Sequence, residues 1–309
     1  LFFFRLPEVH RDESPRLPDV CPGGRMSRPF APLTQETFEL RGEKENLFMI
    51  SSEYRDGLCF DSVAENYDRY RPGYSEALFQ AIAAYANLPC GANVLEVGCG
   101  TGKATLPLLR LGCSVTALEP GDSLASVARR NCAAFQKLRL LPVRFEEFDG
   151  EGGPFDLICS ATAFHWIPEE TGYPKLAALL KSGGCAALFW NIRCPAPDDP
   201  ELFERIQSVY RKYRPERRPP RRDGLSRYSS CLESLVRRGF RRIQTKVFLE
   251  NFMVSSDVYL GLLKTYSDHL ALPDCIREPF ERELLAVIDQ SGGALSVENR
   301  QELYLAEKV

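Results

Sequence analysis

Histidine is nearly missing from this chain, with three in 309 residues. The eleven cysteines include no C-x-x-C pair, and no His/Cys spacing fits a metal-ligand set, so no metal is expected. No long apolar run is present. Leu1-Phe2-Phe3-Phe4 is too short to span a bilayer, and Arg5 and Glu8 interrupt it before it could act as a secretory signal. The net charge of -3 offers no basic surplus for nucleic acid or an anionic membrane, so neither is expected as a partner. Scattered thiols inside apolar segments behave as small apolar groups. That usage points to a reducing, cytoplasmic location rather than a disulfide scaffold.

A chain of this length with 44% hydrophobic residues can build one α/β core with an added lobe. Residues 1–49 are rich in proline, arginine and acids without periodicity, and read as a disordered or non-native extension. Met26 or Met49 is the expected natural start. The folded domain is expected over 50–309.

The most informative segment is Val94-Leu95-Glu96-Val97-Gly98-Cys99-Gly100-Thr101-Gly102-Lys103. A short apolar strand carrying one acid runs into glycines at alternate positions, and a helical stretch (104–111) follows. Such a turn lets a nucleotide-like ligand lie against main chain. The dinucleotide pattern G-x-G-x-x-G is not met, because Lys103 stands where its third glycine belongs. The phosphate-cradling G-x-x-x-x-G-K-[ST] spacing is absent too. Ser114 to Leu118 reads as a second buried strand ending in Glu119-Pro120, where an acid can accept both hydroxyls of a ribose. Nicotinamide and methionine-adenosine cofactors both use such an acid. A further block, Arg144-Phe145-Glu146-Glu147-Phe148, precedes a strand over Asp156–Ser160 and then Ala161-Thr162-Ala163-Phe164-His165-Trp166.

Together these motifs resemble the class I, Rossmann-like S-adenosylmethionine-dependent methyltransferases, whose first motif is E/D-x-G-x-G-x-G. The lead-in Phe60 to Tyr74 resembles the same family's F-x-x-x-A-x-x-Y-D-x-x-R-P-x-Y pattern, and Leu262 to His269 its L-L-x-T-Y-S-x-H stretch. The likeness runs from about residue 56 to 309 and is strongest to the small-molecule, trans-aconitate-type branch. It implies a seven-stranded, mostly parallel sheet with an antiparallel last strand, helices on both faces and a helical cap inserted after strand 5. The cap segments are expected at 192–240 and 252–297.

S-adenosylmethionine is the implied cofactor. Tyr67, Arg71, Glu96, Gly98, Cys99, Gly100, Gly102, Glu119, Pro120, Phe145, Glu146, Ser160 and Ala161 are the residues implied to hold it. His165, Trp166, Tyr266 and His269 are implied to border the substrate. His165 is the one catalytic candidate, and a packed aromatic cluster with a satisfied histidine is the other reading of its motif. The expected reaction is in-line methyl transfer to an oxygen or nitrogen of a small molecule, a carboxylate being one option. A carboxylate needs no general base, whereas an amine or phenol would recruit His165 or His269. A nicotinamide-dependent oxidoreductase and a non-catalytic cofactor-binding relative are the competing functions. A monomer or weak homodimer is expected. The basic run from Arg214 to Arg222 is broken by prolines and lacks aromatic residues, which suits a solvated loop. Pro107 should kink or shorten the helix after the glycine turn.

Overall fold

The computed structural model describes residues 57–195, 199–217 and 226–309. The expectations for residues 1–49 and for the Arg218–Arg222 part of the basic run lie outside these. Seven strands form one sheet: β1 (Asn93–Val97), β2 (Ser114–Leu118), β3 (Leu138–Leu141), β4 (Phe155–Ala161), β5 (Leu180–Pro195), β6 (Arg241–Ser255) and β7 (Ala294–Glu307). Their order is β3-β2-β1-β4-β5-β7-β6. The β1–β2, β1–β4, β2–β3 and β4–β5 ladders are parallel, and β7 runs antiparallel to both of its neighbours. The sheet is the one expected.

Burial on both faces explains why the central strands read as continuous apolar runs rather than alternating ones. Successive side chains still leave on opposite sides. Val94, Leu157 and Cys159 therefore join one core with α2 (Glu76–Ala86) and α3 (Thr105–Arg110), through Leu78, Phe79, Ile82 and Leu108. Leu95, Val97 and Ile158 enter a second core on the other face, with Leu176 of α5 (Glu169–Leu179) and Leu235 of α7 (Cys231–Arg237). The cysteines of β4 and of the glycine turn, Cys159 and Cys99, are free and buried, packed as small apolar groups.

A third core belongs to the cap. Leu202, Ile206 and Val209 of α6 (Pro200–Tyr213) pack on Tyr259 and Leu263 of α8 (Ser256–Leu263) and on Phe280, Leu284 and Ile288 of α10 (Asp274–Asp289). Val254, Leu295 and Val297 of β6 and β7 complete it. Both strands run further than the motif suggested, so residues 252–255 and 294–297 are sheet rather than cap. The stretch 256–270 is not one helix: α8 ends at Leu263, and after Lys264–Tyr266 the single turn α9 (Ser267–Leu270) follows. Pro107 lies in the first turn of the short α3. Amides there have no acceptor within their own helix, so the missing donor costs little.

A 3₁₀ stretch (Leu58–Val63) and α1 (Ala64–Tyr70) lie across the carboxyl ends of the strands. Asp61 caps α4 (Asp122–Asn131), its carboxylate accepting from the Leu124 amide at 2.9 Å. On the cap side, α8 reaches α1 through Gly261, where an added Cβ would stand 2.6 Å from the Tyr70 ring. Overpacking of this kind costs about 1–3 kcal/mol. We expect Gly261→Leu to push α1 away from α8, accelerating limited proteolysis within 57–73. Hydrogen exchange of the β1 and β4 amides should stay unchanged, and slowed exchange confined to the sheet would contradict the packing described.

Candidate active site

The strand order reverses between β1 and β4, the place where an open α/β sheet leaves a crevice at its carboxyl edge. The turn leaving β1 forms the floor of this crevice. Gly98 and Cys99 donate their amides to the Leu118 carbonyl at 2.9 and 3.0 Å, binding the turn to the end of β2. Gly98 has φ +69°, and a Cβ there would fall 2.5 Å from the Ala163 Cβ. Only glycine meets both demands. Glu119, at the tip of β2, accepts from the Gly100 amide at 2.8 Å and from the Gly121 amide at 3.0 Å. Burial pushes its pKa up, while those two amides pull it down.

A cavity opens above this turn. Of the residues singled out in the sequence, Tyr67, Gly98, Gly100, Glu119, Pro120, Phe145, Glu146 and Ala161 line it, as does Trp166. Three others shape the turn without lining the space. Cys99 is buried, Gly102 packs on Cys132 and Ala128, and the Ser160 hydroxyl donates to the Val97 carbonyl at 2.8 Å, joining β4 to β1. Glu96 lies deeper still. It is fully buried, and burial raises its pKa to about 8, while the neighbouring Thr105 hydroxyl pulls it down.

A second cavity of about 1390 Å³ adjoins the first. Phe60, Tyr67, Thr162 and Trp166 line both. Thr162 sits at this junction with φ +56°, a backbone state that costs a β-branched residue energy. Its hydroxyl is held by Tyr74 at 2.8 Å. Arg71, His165 and Tyr266 line the second cavity, as expected residues of the site, and so do Arg193, Arg217 and Tyr228. Arg71 is bonded to Thr265, Nε to Oγ1 at 2.9 Å and Nη2 to the carbonyl at 2.6 Å, and stacks over Tyr266 at 4.3 Å.

The two histidines differ from each other. Trp190 Nε1 lies 3.1 Å from His165 Nδ1. An indole N–H only donates, so Nδ1 accepts and the proton of the neutral ring sits on Nε2. His165 is thereby set as a donor rather than a base. His269 was expected at the substrate but does not line this cavity. It is 1% exposed, packs behind Tyr210 (Oη to Nε2, 3.3 Å) and faces a smaller cavity with Glu281. Its ring lies 6.1 Å from that of Tyr266, which lines the cavity in front of it. Burial lowers its pKa to about 4.

Residues 94–184 match the family model described as a methyltransferase domain. Residues 94–184 are thus similar to a methyltransferase domain, and the sheet that holds them has the Rossmann-like strand order. An uncharacterized methyltransferase of Mycobacterium tuberculosis is 34% identical over 146 residues, which are 47% of this chain and 57% of that protein. The biotin biosynthesis bifunctional protein BioCD of Bordetella avium is 34% identical over 139 residues, 42% of this chain and 28% of that protein. The chain thus matches little more than half the length of the mycobacterial relative. A solved structure from Anaeromyxobacter dehalogenans, described as a candidate type II methyltransferase, shares the fold. It superposes with a TM-score of 0.56 at 21% identity and covers 77% of this chain and 98% of its own. Within the matched region, Lys103 stands where the dinucleotide spacing fails. Its ammonium leaves the turn to donate to the Asp68 carbonyl at 2.7 Å, linking the turn to α1.

Sequence reasoning missed Phe60, Thr162, Arg193 and Tyr228. Tyr228 stacks on Trp190 at 4.8 Å and lies 5.0 Å from His165. No local pattern marks it, because it arrives from the insertion between β5 and β6.

Burial gives Glu96 a testable pH dependence. The folded chain keeps its proton up to about pH 8, whereas a carboxyl of ordinary pKa 4.5 loses it in the unfolded chain. Between those values the folded state binds more protons, so stability is fully present below 4.5 and falls as pH rises toward 8. The slope is at most about 1.4 kcal/mol per pH unit. We expect the melting temperature of the unliganded protein to drop from pH 5 to pH 8.5, and Glu96→Gln to flatten that profile. A wild-type profile that rises over this range would contradict the environment described for Glu96.

Proposed function

We propose that this protein transfers the methyl group of S-adenosylmethionine to an oxygen or nitrogen of an anionic small molecule, a carboxylate being the favoured acceptor. One observation carries the reading: a cavity over the glycine turn opens, through Phe60, Tyr67, Thr162 and Trp166, into a larger cavity whose charged lining is mostly arginine.

The first cavity fits the cofactor. Gly98 and Gly100 present main chain to its floor, which suits a ligand pressed on the backbone. Glu119 is held at the strand tip by two amides, and the Glu96 carboxyl lies beneath the turn, on the side we assign to the cationic methionine end. In this reading Glu119 accepts the ribose hydroxyls, Phe145 and Glu146 flank the adenine, and Tyr67 closes over the ligand. Bound there, S-adenosylmethionine supplies a methyl group already activated on its sulfonium. The chain's own contribution is alignment in a dry channel, which can be worth about 7–11 kcal/mol. Phe60 and Trp166 pack edge to face at 6.0 Å across the junction and exclude water there.

The second cavity favours an anion. Arg71, Arg193 and Arg217 line it against one acid, Asp268. Asp268 is already bound to Arg214 at 2.9 Å. Arg193 forms no ion pair among the described residues and its buried Nε has no hydrogen-bond partner. Burial, with the Arg71 charge nearby, lowers its pKa. Tyr266 and the Phe252 ring at 5.3 Å flank the guanidinium, and the counter-charge it lacks is one a ligand could supply. Its planar fork matches a carboxylate. A carboxylate nucleophile is ionised at neutral pH and needs no base. That agrees with His165 being set as a donor and His269 lying outside the cavity. The trans-aconitate-type resemblance points the same way.

Calorimetric titration tests the reading. S-adenosylmethionine and S-adenosylhomocysteine should bind with micromolar affinity and NADH should not. Removing the ribose acceptor in Glu119→Ala should weaken both by about tenfold or more, as for loss of a charge-assisted hydrogen bond. Arg193→Met should leave cofactor affinity within about twofold and abolish labelled-methyl transfer to carboxylates, whose binding loses a charge-assisted pair. Binding of NADH alone would overturn the proposal.

A further inference from the structure

β6 ends the sheet, and among the described residues its outer edge pairs with no other strand. It is long, Arg241–Ser255, where natural edges are kept short or guarded by proline, bulges and charge. Its first residues are guarded in that way. The ladder to β7 is irregular between Arg241 and Gln244, and Arg241 and Arg242 are both tied to Glu307. From Gln244 onward the pairing with β7 is regular, no proline occurs, and Lys246 is the only basic residue. Val247, Leu249 and Met253 stand 43%, 61% and 66% exposed. Their odd numbers place them on one face of the sheet.

The charge and apolar pattern of this edge is self-complementary in one register. A two-fold axis normal to the sheet keeps each face on its own side, so residues of like parity meet across an antiparallel pair. Centred on Phe248, that axis sets Val247 opposite the partner's Leu249 on the apolar face. On the other face it sets Lys246 opposite the partner's Glu250. Symmetry doubles each pair. A shift of the axis by one residue in either direction loses both charge pairs. Lys246 forms no ion pair among the described residues, and Glu250 is engaged there by the Gln301 amide at 2.8 Å.

We propose that β6 pairs with β6 of a second copy of this chain, extending the seven-stranded sheet across an antiparallel dimer interface. Directly opposed like charges destabilise such a pair and opposed unlike charges stabilise it. The experiment is sedimentation velocity on the full chain and its charge variants, with thermal unfolding run beside it to establish that each is folded. The wild type should be dimeric in the micromolar range. Lys246→Glu and Glu250→Lys should each weaken dimerisation about tenfold, two repulsive pairs being created per interface. An equimolar mixture of the two single variants should form a heterodimer, because each supplies the charge that the other lacks. The double variant Lys246→Glu/Glu250→Lys should recover the wild-type dimer. A wild type that stays monomeric at high concentration overturns the proposal. So does a dimer indifferent to these charges, which would place the interface on another surface. A monomer whose β6 amides are protected from exchange would mean that this chain covers its own edge, and would overturn it too.

Discussion

Everything at the site depends on how the chain leaves β1. Gly98 must take a left-handed backbone angle while passing close over Ala163. Its amide and that of Cys99 must both reach the Leu118 carbonyl. Those requirements fix the turn against β2, and Gly100 then meets the Glu119 carboxylate. The floor of the first cavity is therefore main chain held by main chain. Its rigidity comes from backbone hydrogen bonds and close packing rather than from side-chain contacts that could reorganise. Such preorganisation is what an alignment mechanism requires.

The second cavity is held differently. Its walls are brought by two insertions, one between β5 and β6 and one between β6 and β7, that share the third hydrophobic core. That core places Tyr210, Tyr259 and Leu263 around the space, while Arg193 reaches it from the far end of β5. The cationic lining is thus assembled from distant parts of the chain. Arg71 belongs to the segment closing α1, yet its hydrogen bonds run to Thr265 of the cap. The lead-in segment and the cap are joined through this one guanidinium, and the Gly261–Tyr70 contact brings the same two elements together. The roof over the first cavity and the wall of the second are mechanically one piece.

Much was legible in the residues alone. The sheet, the glycine turn and the acid at the tip of β2 follow from short-range constraints. Apolar runs mark buried strands, alternate glycines mark the close backbone approach, and the spacing to Glu119 marks the second strand. What resisted reading were contacts between segments far apart in sequence. His165 and His269 look alike as lone histidines beside aromatics. Trp190 fixes the hydrogen-bond role of the first, and the second is buried behind Tyr210, outside the cavity lining. Arg193 looks like one more cation after a strand until its place in the wall of the second cavity is seen.

The sequence by itself therefore determined the architecture and the cofactor-side cradle, because both rest on local backbone geometry and on the period of apolar residues. Tertiary structure alone decided which charged and aromatic side chains share the acceptor cavity and which edge of the sheet stands open. Those outcomes depend on packing between insertions that carry no periodic signal, where burial and loss of a partner alter the chemistry of a residue without altering its name.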